Sequence, residues 1–178
     1  MSNQKYRPAK PKSKSSKSTV TWLSAAAVAV VAAIVGGIIW MAPPPLAPDD
    51  ADVVVYKTAT CGCCKKWVDH LREQDLRVSV VNVRETRSVQ QRLGVPVTLG
   101  SCHTAKVGDY FVEGHVPADL VQQLLVEQPE NLRGIAVPGM PIGSPGMEGP
   151  NPVTYDVVSV DLEGDVAVYA TRQGQTAD

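Results

Sequence analysis

Before Asp49 the chain contains no acidic residue at all. It has no long-period repeat, which excludes solenoid and propeller architectures. Beyond the N-terminal tail it has no basic excess either. Of 17 Lys and Arg, six (Lys5, Arg7, Lys10, Lys12, Lys14 and Lys17) lie at the N-terminus, leaving 11 against 18 acidic residues in the remainder. A negatively charged main domain offers no electrostatic footprint for a polyanion, so nucleic acid is excluded as its partner. Charge is missing altogether from residues 20–41, VTWLSAAAVAVVAAIVGGIIWM. As a helix this run is long enough for the roughly 30 Å hydrocarbon core of a bilayer. Trp22 and Trp40 would stand about 27 Å apart, one at each interface, with the cations on the cytoplasmic side. A good cleavage context is also lacking: Met41-Ala42 runs into Pro43-Pro44-Pro45, a poor substrate for a signal peptidase. The expected organisation is a basic cytoplasmic tail (1–19), an uncleaved single-pass transmembrane anchor (20–41), a Pro-rich linker (42–50), a main domain (51–172) and a short tail (173–178).

Within the main domain, Val53 to Tyr56 is a continuous apolar run and predicts a strand buried on both faces. Cys64, Trp67, Val68 and Leu71 recur at helical spacing and predict a helix that ends near Gln74. Arg77 to Val83 is rich in β-branched residues and predicts a second strand. Thr86 or Ser88 is placed to cap a short helix that Gly94 terminates. Thr104–Val107 and Tyr110–Glu113 form an expected hairpin around Gly108-Asp109. Pro117 opens a third helix with Leu120, Val121, Leu124 and Leu125 as its buried stripe, stopped by Pro129. A loop rich in Pro and Gly spans 137–152, and a last hairpin pairs Thr154–Asp161 with Asp165–Thr171. Strand, helix, strand, helix, hairpin, helix is the order of a thioredoxin-like α/β domain, here with a C-terminal β-hairpin extension. In that arrangement Pro96 is the candidate for the proline that faces the thiols.

Three of only four cysteines fall within four residues, Cys61-Gly62-Cys63-Cys64, at the expected start of the first helix. A helix N-terminus presents free N–H groups and partial positive charge, which favour thiolate, the nucleophile and the metal ligand. Cys61 and Cys64 have the C-x-x-C spacing of a dithiol redox centre. Cys63 is superfluous to such a pair, and soft thiolates select Cu(I), Zn²⁺ or iron–sulfur clusters. Side chains of neighbouring helical residues diverge by about 100°, which strains a single shared ion and suits bridging thiolates in a multinuclear Cu(I) cluster. A purely structural disulfide role fits poorly, because short loops gain little entropy. Cys102, leading into the hairpin, is expected within reach of the helix end. His103, His115, Met140 and Met147 are weaker metal candidates. The ordinary reading of the histidines is surface or hydrogen-bonding residues, and of the methionines, pins for a rigid loop.

Tyr56-Lys57, Thr60-Cys61-Gly62-Cys63-Cys64, Trp67, Leu93-Gly94-Val95-Pro96, Ser101-Cys102-His103-Thr104-Ala105, Glu113 to Ala118 (EGHVPA) and Ala136 to Pro141 (AVPGMP) together resemble the CopG-type copper-resistance proteins. The resemblance runs from about Val53 to Tyr169. It implies a thioredoxin-like fold, a periplasmic location and copper bound by Cys61, Cys63, Cys64 and Cys102. The resulting expectation is a protein of the bacterial inner membrane whose main domain binds Cu(I) in the periplasm, supports copper resistance and meets a copper-handling or redox partner there. A thiol–disulfide or copper-redox oxidoreductase using Cys61 and Cys64 is the alternative, and a zinc or iron–sulfur domain a third.

Overall fold

The computed structural model describes Val28, residues 30–34 and residues 51–176. The chain divides into two compact units, residues 1–42 and 43–178. In the first, Val28 and residues 30–34 are helical with exposed side chains. The basic tail, most of the expected anchor and the Pro-rich linker lie outside the described residues. Among the described residues no helix is long and apolar enough to cross a membrane.

The second unit is a mixed α/β domain built on one seven-stranded sheet, in the order β2-β1-β3-β4-β5-β6-β7. Strand β1 (Val53–Lys57) leads through helix α1 (Gly62–Glu73) to β2 (Val78–Asn82), which pairs with β1 in parallel. Helix α2 (Arg87–Leu93) and a 3₁₀ turn (Val97–Leu99) precede the hairpin β3 (His103–Val107) and β4 (Tyr110–Glu113). Strand β3 runs antiparallel to β1. Helix α3 (Ala118–Glu127) follows, then β5 (Leu132–Ala136), β6 (Thr154–Asp161) and β7 (Val166–Gln173).

The apolar pattern divides the core into layers. Val53 and Val55 of β1 join Trp67, Val68 and Leu71 of α1 and Leu120, Val121 and Leu124 of α3 in the main cluster. The alternate residues Val54 and Tyr56 meet Val89 of α2. Both faces of β1 are therefore covered, which is why its run is continuously apolar.

Four expectations are corrected. Strand β5 was not foreseen, because Leu-Arg-Gly-Ile-Ala lacks alternation and carries a glycine. That glycine is required by contact: a Cβ on Gly134 would overlap the Phe111 carbonyl oxygen and ring of β4. The Thr86 side chain makes no cap to α2; the Glu85 carboxylate accepts the Ser88 N–H instead, at 3.3 Å. Pro96 enters the 3₁₀ turn and lines a cleft with Arg87, Gln90 and Ser101, while Cys102 is the residue just ahead of β3 that meets the thiols. Strand β7 begins one residue later than expected and runs to Gln173. Gly174 N–H and Gln175 N–H then donate to Val153 O and Gly143 O.

Candidate metal centre

The topology brings the cysteines together. Lys57, the last residue of β1, pairs with His103, the first of β3, so Cys102 falls just beyond the end of β1 where the CGCC segment begins. Cys61 is the N-cap of α1: its backbone is extended and its sulfur accepts the Cys64 N–H at 3.3 Å. The first turn of α1 holds no acidic residue, so the positive helix end faces the sulfurs uncompensated. Cys63 Sγ lies 3.6 Å from Cys61 Sγ and 3.9 Å from Cys102 Sγ, and Cys64 Sγ lies 3.4 Å from Cys102 Sγ. All four sulfurs lie within 4.8 Å of one another. The divergence expected of Cys63 and Cys64 is overcome because Cys61, outside the helix, and Cys102, from another strand, close around both. Cys61 and Cys64 are joined as a disulfide with Cα atoms 5.4 Å apart, and Cys63 and Cys102 are free.

His103 and His115 are not the surface residues their ordinary reading would make them. Both are fully buried, and with Cys102 they form a second group of donor atoms within 4.8 Å. His103 Nε2 lies 3.0 Å from Gly114 O, which accepts its proton and leaves the Nδ1 lone pair 3.5 Å from Cys102 Sγ. His115 Nδ1 lies 2.7 Å from Pro145 O and leaves Nε2 3.8 Å from the same sulfur. A carbonyl that takes the outer N–H of an imidazole fixes its tautomer and aims the other nitrogen inward, as around metal-ligating histidines. The Trp67 ring lies 4.4 Å from the His103 ring, and the His103 and His115 rings meet edge to face at 4.9 Å. Trp67 Nε1–H donates to Val116 O at 2.7 Å, which anchors this apolar wall.

Burial sets the protonation of these groups. It pushes the Cys102 thiol up to about 12, with the neighbouring Cys63 acting in the same direction. It holds His103 down to about 3, assisted by His115, and lowers His115 as well. Both imidazoles are therefore neutral and able to donate a lone pair. Glu113 is also raised by burial, to about 7, although hydrogen bonds from Thr104, Ser101 and Gln90 pull it down.

The 137–152 loop closes one side. A Cβ on Gly146, whose φ is +83°, would stand 2.8 Å from Trp67 N and 2.9 Å from Cys63 O, so the loop lies directly on the first turn of α1. Met147 is half-buried and lines an open cleft of about 370 Å³ with Cys63, Lys66 and Glu148. Met140 is 42% exposed and is not among the residues lining that cleft. The sequence reading missed the buried network of Glu113, Gln90 and Ser101 behind Cys102. Its signal was an acid ending the otherwise apolar strand Tyr110–Val112.

Fold and site together define a mixed α/β domain carrying a cysteine–histidine cluster able to bind metal. Residues 99–147 match a family described as "Protein of unknown function, DUF411". No curated protein matches the chain. Two solved structures do: "Copper resistance protein copG- Form 2", at 41% identity, TM-score 0.64, over 70% of this chain and 99% of that one, and "Copper resistance protein copG- Form 1", at 43% identity, TM-score 0.63, over 68% and 97%. The chain belongs to the family of the copper resistance protein CopG, the DUF411 family.

Proposed function

We propose that this protein binds copper as Cu(I) through the thiolates of Cys61, Cys63, Cys64 and Cys102, and that it supports copper tolerance outside the cytoplasm. One observation carries the reading: the four sulfurs converge within 4.8 Å of one another. Soft, polarisable donors at a helix N-terminus favour Cu(I), and adjacent cysteines with a fourth from another strand provide bridging thiolates for more than one ion. The neutral imidazoles of His103 and His115 add two nitrogen donors beside Cys102, and Met147 adds a thioether at the rim. The βαβ unit followed by a hairpin and helix, with the thiols at the first strand-to-helix junction, supports a thioredoxin-like ancestry. The β6–β7 hairpin and its loop are the extension.

In this reading residues 20–41 anchor the chain in the inner membrane and the domain works in the periplasm, meeting a copper-handling or redox partner there. The deciding measurement is anaerobic determination of Cu(I) per chain for the reduced protein and for Cys63→Ser. A bridging role for Cys63 lowers the copper number; an unchanged number rejects the cluster.

A second reading rests on the disulfide between Cys61 and Cys64. Oxidation of that dithiol releases two electrons and two protons, which balances reduction of two Cu(II) ions to Cu(I). The same thiols would then pass electrons as well as hold copper. Production of two Cu(I) per dithiol oxidised, followed with a Cu(I)-specific chelator, tests it; Cys61→Ser should abolish the reaction.

A further inference from the structure

The Cys102 sulfur belongs both to the four-sulfur group and to the group formed with the two imidazoles. What holds it in place lies in neither. Ser101, the preceding residue, is gripped at both peptide atoms. Its N–H donates to Glu113 Oε1 at 2.5 Å, and its carbonyl accepts from Gln90 Nε2 at 3.0 Å and Thr86 Oγ1 at 3.5 Å. Gln90 Nε2 also donates to Glu113 Oε1, at 2.7 Å, and the Ser101 hydroxyl donates to His103 O at 2.9 Å. The segment carrying Cys102 is thus tied to β4 by Glu113 and to α2 by Gln90 and Thr86.

Glu113 is fully buried, and an acid in such a place costs free energy that an apolar residue would not. One of its oxygens, Oε1, takes both the Ser101 and the Gln90 bonds. Oε2 is buried toward the side of Thr104, its register partner on β3, whose hydroxyl is buried too and acts on the same carboxyl. Packing does not account for this residue; the two bonds at Oε1 do.

We propose that Glu113 is a positioning residue for Cys102: its Oε1, shared by Ser101 and Gln90, fixes the Ser101-Cys102 segment so that the Cys102 sulfur stands between the CGCC sulfurs and the two imidazoles. The purpose rests on the copper reading above; the clamp itself rests on hydrogen-bond geometry. What the clamp needs is an acceptor oxygen, not a charge. Glutamine at this position keeps that oxygen and offers an amide to the Thr104 hydroxyl.

The test uses the full chain, reduced and metal-free. Alkylation rates of Cys102 and Cys63 by iodoacetamide are read by peptide mass spectrometry, alongside Cu(I) bound per chain. With the clamp removed in Glu113→Ala, Cys102 alkylation rises about tenfold or more, because a hydrogen bond to a buried acceptor is lost and the segment opens locally. Cys63 is the internal control and keeps its rate, since general loosening would expose both. Copper binding weakens in Glu113→Ala and is restored in Glu113→Gln. The proposal is overturned if Glu113→Ala leaves Cys102 unchanged, if it accelerates Cys63 equally, or if Glu113→Gln is as impaired as Glu113→Ala. Should Glu113→Ala fail to fold, Gln90→Met, which removes the helix side of the clamp at similar volume, is judged by the same rates. If the natural chain binds no copper while Glu113→Ala still gives this alkylation pattern, the clamp stands and the copper reading falls.

Discussion

The cysteines differ in surroundings more than in chemistry. Cys64 is fully buried, Cys61, Cys63 and Cys102 are half-buried, and only Cys63 lines the cleft under the 137–152 loop. Cys102 stands closest to the imidazoles, so its replacement should disturb both donor groups. Cys102→Ser is expected to lower Cu(I) per chain at least as much as Cys63→Ser, while Met140→Leu, on an exposed residue outside the Cys63 cleft, leaves it unchanged; anaerobic copper determination on the three variants checks this. A second residue-scale prediction concerns His70, whose Nε2 accepts the Ala118 N–H at the start of α3, at 3.2 Å. Burial lowers its pKa, so the folded state favours the neutral ring. The stability this gives is complete above the ordinary imidazole value of about 6.5 and is lost as pH falls through the lower folded value. His70→Ala should therefore flatten the acid side of a urea-midpoint profile and cost about 1 kcal/mol at neutral pH, the usual worth of a helix cap. An unchanged profile would remove His70 from that role.

At the scale of elements, legibility followed how locally each feature is encoded. Strand β1 and helices α1 and α3 could be read because continuous or 3.6-residue apolar patterns record what covers them. Strand β5 could not, since its Gly134 is dictated by Phe111 on the next strand and leaves no pattern of its own. The cysteine cluster was visible as a motif, and Cys102 joined it through the family resemblance and an argument from topology. The histidines were underrated because their burial comes from Trp67, Gly114 and Pro145, which lie elsewhere in the chain. The loop that supplies Pro145 gives a sharp test. Gly146→Ala places a methyl against the backbone of α1 at a positive φ, and should cost about 1–3 kcal/mol. The lost contact should also free His115, so thermal unfolding should fall and copper affinity with it. A variant as stable as the natural chain would show that the loop does not rest on α1.

For the molecule as a whole, charge distribution and length are the remaining evidence. The basic tail and the uncharged run 20–41 predict that the chain stays in the membrane fraction with its C-terminus exposed to the periplasm. A tag fused after Asp178 should be digested by protease added to the periplasm, and recovery of a soluble form lacking residues 1–42 would reject the anchor. Strand order adds a second consequence at this scale. Strands β1 and β3, which deliver the thiols, lie inside the sheet, with β2 on one side and β4 to β7 on the other. The centre is therefore built on interior strands, and the β7 edge meets it through the main core, where Tyr169 and Ala170 pack, and through the Arg172–Asp119 pair to α3.

Trp67 has a use that its packing role conceals. The chain has 3 tryptophans, and Trp22 and Trp40 both belong to the run 20–41, so Trp67 is the sole indole of the domain. Its ring lies 4.4 Å from His103, whose Nδ1 is in turn 3.5 Å from the Cys102 sulfur. Emission from this indole is thus an intrinsic optical gauge of the centre. Stepwise quenching as Cu(I) is titrated into the full chain would report filling directly, without a dye, and Trp67→Phe would darken that signal and leave the emission of the other two indoles.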